Sequence, residues 1–222
     1  MKIGDIEIFP TKIVCLGRNY VKHAKEMGSQ IPKEPVFFCK TVNTLIKDEE
    51  PIIYPRILYD NVELNRIDHE VELAIVIKEK CKNIKSTEYT KYIIGYTIFL
   101  DITARLMQKQ DREINLPWYR SKNFDTFGPI GPKIVEDIED PHNLNIELKI
   151  NGEIKQSSNT KHMIFRIPEI IEYLSKYTTL ESGDIIATGT PEGVGPIFPG
   201  DTLEAKIDHI GILTNNVLLE GN

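Results

Sequence analysis

Apolar residues in this chain fall into short runs separated by Gly, Pro, Asn and Asp, and few stretches carry the 3.6-residue period of a long helix. The clearest run is Asp68-His69-Glu70-Val71-Glu72-Leu73-Ala74-Ile75-Val76-Ile77. Val, Ile and Leu dominate it without a breaker, which predicts a strand over 70–78. Further strands are predicted near 35–39, 44–46, 51–53, 93–101, 133–136, 145–150, 185–189, 202–207 and 211–219. Residues 1–16 read as short strands ending in Lys12-Ile13-Val14-Cys15-Leu16. Helical character is confined to 19–28, to Thr103 through about Asn115, and to Pro168 through Ser175. Gly28-Ser29 is the stop of the first helix and Pro117 ends the second. Glu181-Ser182-Gly183-Asp184 and Phe198-Pro199-Gly200-Asp201 read as turns. Strands outnumber helices and strand–helix–strand alternation is rare, so a mainly β, α+β single domain over 1–222 is expected and a doubly wound parallel sheet is not.

Residues i and i+2 of a strand share a face, so Glu70 and Glu72 are expected to point the same way. Two like charges on a half-buried face repel unless a cation lies between them, and a hard divalent ion takes such oxygen ligands. A solvated edge strand is the rival reading of the pair alone. Asp101 closes the apolar run Ile93-Ile94-Gly95-Tyr96-Thr97-Ile98-Phe99-Leu100 and is the candidate third ligand; it could equally cap the helix that follows. Arg18, Lys40, Arg105 and Lys122 offer cations beside these motifs. Lys40 ends Pro35-Val36-Phe37-Phe38-Cys39, placed to point into a cleft. Lys122 lies in an aromatic loop with Trp118, the only tryptophan.

His23 and Glu26 share a helix face at i, i+3. A carboxylate beside imidazole builds a general base, and a plain surface pair is the alternative. The short polar helix between Gly17 and Gly28 suits a lid. Ala187-Thr188-Gly189-Thr190-Pro191-Glu192-Gly193-Val194-Gly195-Pro196 is a Gly-rich loop able to present N–H groups to an anion, or a simple connection. It matches neither a P-loop nor the dinucleotide fingerprint, and no Gly-x-Ser-x-Gly elbow is present.

Composition narrows the classes. The 222 residues are 41% hydrophobic and 27% charged, with net charge −6. No basic block invites nucleic acid, and no apolar run is long enough to cross a bilayer. The first residues lack an apolar signal region, and the three cysteines form no CxxC pair. A reducing cytoplasmic location is expected.

Together the motifs resemble the fumarylacetoacetate hydrolase family, nearest its short acylpyruvase and oxaloacetate decarboxylase members. The resemblance rests on Gly17-Arg18-Asn19-Tyr20 with His23 and Glu26, Pro35-Val36-Phe37-Phe38 with Lys40, and His69-Glu70-Val71-Glu72-Leu73. It continues through Asp101-Ile102-Thr103-Ala104-Arg105 with Gln108, Leu116-Pro117-Trp118 with Ser121-Lys122, Asn151-Gly152, and Gly189-Thr190-Pro191 with Gly193-Val194-Gly195. It implies a mixed β-sandwich roll of the family's C-terminal-domain type with a short helical lid, 1–50 forming N-terminal strands and lid and 51–222 a metal-binding β-roll. It implies Glu70, Glu72 and Asp101 as ligands of Mg²⁺ or Mn²⁺, and His23, Glu26 and Lys122 as catalytic groups. Arg18, Lys40, Gln108 and Thr190 fall at substrate-binding positions, the substrate being a small 2-oxo acid and the assembly a homodimer. The expected reaction is Mg²⁺-dependent carbon–carbon cleavage, acylpyruvate hydrolysis or oxaloacetate decarboxylation. Three alternatives stay open: oxaloacetate keto–enol tautomerase or an isomerase or dehydratase of 2-oxo (sugar) acids on the same scaffold, a non-catalytic metal-binding module, and an unrelated metal-free β-domain.

Overall fold

The computed structural model of the chain describes residues 1–28 and 30–221. Ser29, half of the expected stop of the first helix, lies outside the described residues. The seven-stranded sheet runs, in spatial order, Val36–Lys40, Ile13–Gly17, Ile185–Ala187, Val71–Ile77, Ile93–Leu100, Gly128–Val135 and Leu45–Ile46. The five-stranded sheet runs Glu153–Asn159, Asn145–Ile150, Thr202–Ile207, Gly211–Leu219 and Ile52–Tyr54. A three-stranded piece joins Thr103–Ala104, Ile67–His69 and Gly195–Ile197, and Lys2–Ile3 pairs with Ile6–Glu7. Three neighbour pairs are parallel and the rest antiparallel, which makes a mixed β-sandwich roll with few helices.

The central strand is an unbroken apolar run because both of its faces are covered. Val71, Leu73, Ile75 and Ile77 enter one core cluster with Ile98, Leu148 and Ile207. Ala74 and Val76 enter the other with Ile13, Cys15, Phe99 and Ile185. Glu72 shares the Ala74–Val76 face by alternation. Asn145–Ile150 instead buries only Ile146, Leu148 and Ile150 and leaves its other face open or half-open. Helix Ile167–Tyr177 seals the roll with Ile167, Ile170, Ile171 and Leu174, one stripe at helical spacing. Its entry is fixed by Arg166 N–H donating to the Glu169 carboxylate at 2.8 Å.

Two departures from the sequence reading bear on the site. The strand expected over 70–78 is two strands, Ile67–His69 and Val71–Ile77, in different sheets with Glu70 at the break. There the Val71 N–H turns to the side chain of Gln156 at 3.1 Å. Strand Glu153–Asn159, which contributes Gln156, was not expected, because Glu-Ile-Lys-Gln-Ser-Ser-Asn has one apolar residue. It forms as the return arm of a hairpin from Asn145–Ile150, turned at Asn151-Gly152, both at positive φ (51° and 81°). The lid helix is Val21–Glu26, and the second expected helix is Arg105–Glu113.

Asp184 pins the start of strand Ile185–Ala187 to the N-terminal segment. Its buried carboxylate accepts from Thr11 N–H (2.9 Å), Thr11 Oγ1 (2.8 Å), Lys12 N–H (3.1 Å) and Glu181 N–H (2.8 Å), and pairs with the Lys12 ammonium. Burial alone would raise this acid, but Lys12 and the N–H groups of Glu181 and Thr11 hold it below its ordinary value. A depressed carboxylate stabilises the fold above the unfolded value near pH ~4 and loses that contribution as pH falls through the lower folded value. Asp184→Asn turns an amide N–H₂ toward donors already present and is expected to cost about 2–3 kcal/mol at neutral pH. In urea melts the gap from the parent should shrink below pH ~3; a pH-independent gap would refute the charge argument.

Candidate metal centre

Glu70 sits at the break between its two strands, Glu72 follows on Val71–Ile77, and Asp101 ends Ile93–Leu100. Those strands are antiparallel with Val71 opposite Leu100, so Asp101 lands beside Glu70. The Asp101 N–H donates to the Glu70 carbonyl at 2.9 Å. One oxygen from each of the three carboxylates lies within 4.8 Å of the others, and all three residues are buried. Asp101 does not cap the next helix; Ala104 holds the N-cap position.

Cations surround the trio. The Lys122 ammonium donates to Glu70 Oε2 (3.1 Å), Asp101 Oδ2 (2.5 Å) and Thr103 Oγ1 (2.7 Å), and stands 4.7 Å from the Phe38 ring centre. Arg105 pairs with Glu70 and with Asp68 Oδ2 (2.7 Å), and donates to Gln108 Oε1 at 2.7 Å. Lys40 is fully buried against Asp101 Oδ1 (2.8 Å) and the Ile102 carbonyl (3.0 Å). It lies beneath Asp101 and does not line the cleft, unlike the placement its sequence context suggested. Burial would raise Glu70, yet Lys122 and Arg105 hold it well below the usual carboxylate range. Burial would lower Lys122, yet Asp101 and Glu70 raise it.

Glu72 is different. Among the described residues no cationic side chain is within ion-pair distance of it, and its carboxylate accepts the Gly189 N–H at 2.7 Å. Burial first, then Asp101 and Glu70, push its acid well above the ordinary value. A hard divalent cation among the three oxygens would supply the missing positive charge, and an all-carboxylate donor set suits Mg²⁺ or Mn²⁺. The residues present therefore fit such an ion.

The cleft above the trio encloses about 80 Å³. Arg18, His23, Glu70, Glu72, Gln108, Lys122 and Thr190 line it, with Arg105, Arg112, Phe38 and Trp118. Glu26 faces the larger adjoining cavity of about 720 Å³. His23 is 6% exposed, and its Nδ1 meets Glu26 Oε2 at 3.1 Å, which leaves Nε2 as the free nitrogen. The other Glu26 oxygen accepts Gly193 N–H at 3.1 Å, and Lys22 pairs with Glu192 at 3.1 Å. The lid is thus docked on the Gly-rich loop. Arg18, which lines the cleft, carries a left-handed backbone (φ 61°) and a buried Nε that finds no hydrogen-bond partner among the described residues.

The Gly-rich loop is stitched to the central strand. Thr188 donates to the Leu73 carbonyl through both N–H (3.0 Å) and Oγ1 (2.8 Å). Asn19 donates to the Thr188 carbonyl at 2.8 Å and accepts Phe165 N–H at 2.8 Å. Asn19, Asp68, Thr103 and Gln156 escaped sequence reasoning, since a single polar residue in a short motif carries no periodic signal.

The fumarylacetoacetate (FAA) hydrolase C-terminal family matches residues 12–218. The chain belongs to this family. An oxaloacetate decarboxylase of Dictyostelium discoideum is 46% identical over 198 residues, 88% of each chain. The oxaloacetate tautomerase Fahd2a of Rattus norvegicus is 39% identical over 218 residues, 94% of this chain and 67% of that one. A fumarylpyruvate hydrolase from Pseudomonas aeruginosa, solved with Mn²⁺ and pyruvate, superposes with TM-score 0.89 at 32% identity, over 98% of this chain and 93% of that one. The fumarylacetoacetate hydrolase fold and the convergence of three acids thus occur together in this member.

Gly189 holds the loop against Glu72 at φ +95°, and a Cβ there would stand 2.7 Å from the Asn19 Cβ. Gly189→Ala is expected to cost at least about 2 kcal/mol from the left-handed backbone and the clash. It should also withdraw the N–H from Glu72 and weaken Mn²⁺ binding; calorimetric titration of Mn²⁺ alongside a thermal melt checks both.

Proposed function

We propose that this chain is a metal-dependent enzyme acting at C3 of a small 2-oxo acid, with oxaloacetate and acylpyruvates as the substrates its site fits. The carrying observation is Glu72, a buried acid without a cation, converging with Glu70 and Asp101 in a cleft lined by Lys122 and Arg18. A Mg²⁺ or Mn²⁺ ion held by Glu70, Glu72 and Asp101 supplies Lewis acidity toward the carboxylate and 2-oxo oxygens when bound.

The chain's own groups divide the remaining work. Arg18 and the Gln108 amide offer donors to the substrate carboxylate; Gln108 Oε1 is taken by Arg105, so its N–H₂ faces outward. Lys122 meets negative charge as it develops on the 2-oxo oxygen, an electrostatic role suited to an ammonium buried beside Glu70 and Asp101. In decarboxylation the C3–C4 bond breaks, C4 leaves as CO₂, and the electron pair stays with C3 until a proton arrives. In acylpyruvate hydrolysis His23 Nε2 takes a proton from water, the water oxygen bonds the acyl carbon, and the C3–acyl bond breaks with its electron pair passing to C3, which then takes up the proton held on His23 to give pyruvate. Glu26 holds the imidazole with Nδ1–H toward itself, which sets Nε2 as the base.

Tautomerisation is the second reading, favoured by the rat relative's name. It breaks a C3–H bond, whose electron pair forms the C2=C3 double bond while the 2-oxo oxygen takes up a proton, and it breaks no carbon–carbon bond. By resemblance the protein is read as a cytoplasmic homodimer; no helix among the described residues is long and apolar enough to cross a membrane. A solution mass of twice 25.4 kDa tests the dimer.

An NMR time course with oxaloacetate, its enol and acetylpyruvate, with and without chelator, decides among the reactions. Glu70→Gln is expected to lower metal-dependent turnover by at least about a hundredfold. Full activity of that variant after chelation would refute the ligand assignment. His23→Ala is expected to slow acetylpyruvate hydrolysis by about 10²–10⁴ while decarboxylation falls far less; equal losses would remove His23 from water activation.

A further inference from the structure

Gln156 lies outside the cleft, on the polar strand Glu153–Asn159, yet it is 1% exposed and its amide is fully engaged. Its Oε1 accepts Val71 N–H at 3.1 Å and meets His69 Nδ1 at 2.9 Å. Its Nε2 donates to Thr190 Oγ1 at 2.8 Å and to the Pro191 carbonyl at 2.9 Å. The Val71 N–H can only donate, so it fixes which end of the amide is oxygen. His69 Nδ1 must then carry a hydrogen, and the amide N–H₂ must face the Thr190–Pro191 loop. A hydroxyl that accepts from Gln156 has its own hydrogen turned elsewhere. Thr190 is 3% exposed and lines the cleft, and no protein acceptor for its hydroxyl hydrogen occurs among the described residues.

We propose that Gln156 is a positioning residue that converts Thr190 into a hydrogen-bond donor aimed at substrate and locks it in register with the acid-bearing strand. Val71 stands between Glu70 and Glu72. One side chain therefore spans from the backbone between two candidate metal ligands to the hydroxyl that would meet a substrate oxygen. The donor sense follows from hydrogen count: Val71 N–H and His69 Nδ1–H into Oε1, Nε2–H into Thr190, Thr190 O–H into the ligand. A 2-oxo acid presents only acceptor oxygens at its carboxylate and keto groups, so a donor hydroxyl suits it and an acceptor would repel it. This inference rests on the reading of the cleft as a site for a 2-oxo acid on a divalent ion.

Two isosteric changes separate this role from packing. Gln156→Glu keeps the acceptor for Val71 and His69 but gives Thr190 an acceptor, which draws its hydrogen away from the cleft. Thr190→Val removes the hydroxyl at nearly constant volume. Binding of oxalate, a stable mimic of the 2-oxo acid unit, to protein loaded with Mn²⁺ is read by titration calorimetry. Each variant is expected to bind oxalate about tenfold more weakly, the size of one lost hydrogen bond to an anion. Because Gln156 acts through Thr190, the double variant should bind no more weakly than Thr190→Val alone. Gln156→Met serves the same cycle if the buried glutamate unfolds the chain. Thr190→Ser should retain the parent affinity. Additive losses, or undiminished oxalate binding by folded Gln156 variants, would overturn this inference while leaving the proposed function standing. A parent protein that binds Mn²⁺ and no oxalate would overturn both.

Discussion

The structure is organised around more buried negative charge than its neighbours would ordinarily tolerate. Three carboxylates lie with oxygens within 4.8 Å of one another. At that spacing and an effective dielectric near 20, each like-charged pair costs roughly 3 kcal/mol. Three such pairs approach the whole net stability of an ordinary domain, about 5–15 kcal/mol. The cations around the trio are therefore a condition of folding as much as of chemistry. Lys40 braces Asp101 from below, Arg105 braces Glu70 from the side, and Lys122 bridges the two. Glu72 alone is left facing its like-charged neighbours, and that asymmetry marks where a divalent ion belongs.

The architecture explains how such a cluster stays rigid. Strand Val71–Ile77 is buried on both faces, so the residues leading from Glu72 cannot shift without disturbing two cores. Glu70 stands where the chain passes from one sheet to another, and side-chain hydrogen bonds replace ladder bonds there. Asp101 is set by the register of the neighbouring strand, and Glu72 is touched by the loop that follows the opposite neighbour, Ile185–Ala187. The acids thus come from adjacent strands of one sheet, while the groups that would meet substrate come from loops and helices laid over the strand ends. Rigid acids below and adjustable contacts above are a division that would let one set of candidate metal ligands serve several substrates.

The parts that could be read from sequence are those with a period or an unmistakable residue type. The apolar run ending at Ile77, the closing aspartate, the turns at Gly183-Asp184 and Gly200-Asp201 and the Pro-started helix all carry such signals. Glu153–Asn159 was missed because its strand character comes from its hairpin partner, not from its own residues. Strand Gly128–Val135 was foreseen only near its end, since Gly128-Pro129 and Gly131-Pro132 look like turns and are tolerated here by the bulged pairing with Ile93–Leu100. Lys40 could be seen to end a strand, but its burial under Asp101 depends on which strands become neighbours. Gln156, Asn19 and Asp68 are single polar residues whose partners lie far along the chain or in another sheet, and no local pattern encodes a contact of that kind.

Which reaction such a site performs is set less by the acids than by what controls a proton above them. On the proposed function, the carboxylate trio and Lys122 would act alike on any 2-oxo acid, because each route builds charge on the same oxygen. The routes part at the group facing C3 or its substituent. In the proposed reading that group is His23, whose Nδ1 meets Glu26, and Glu26 in turn accepts the Gly193 N–H. Gly193 belongs to the same loop that carries Gly189 against Glu72 and Thr190 into the cleft. The His23–Glu26 pair on the lid and the contacts around the three acids are therefore aligned by one stretch of backbone. On the proposed function, a few substitutions in the lid would redirect a proton while leaving the three acids in place, a physical route to relatives with distinct reaction names on one scaffold.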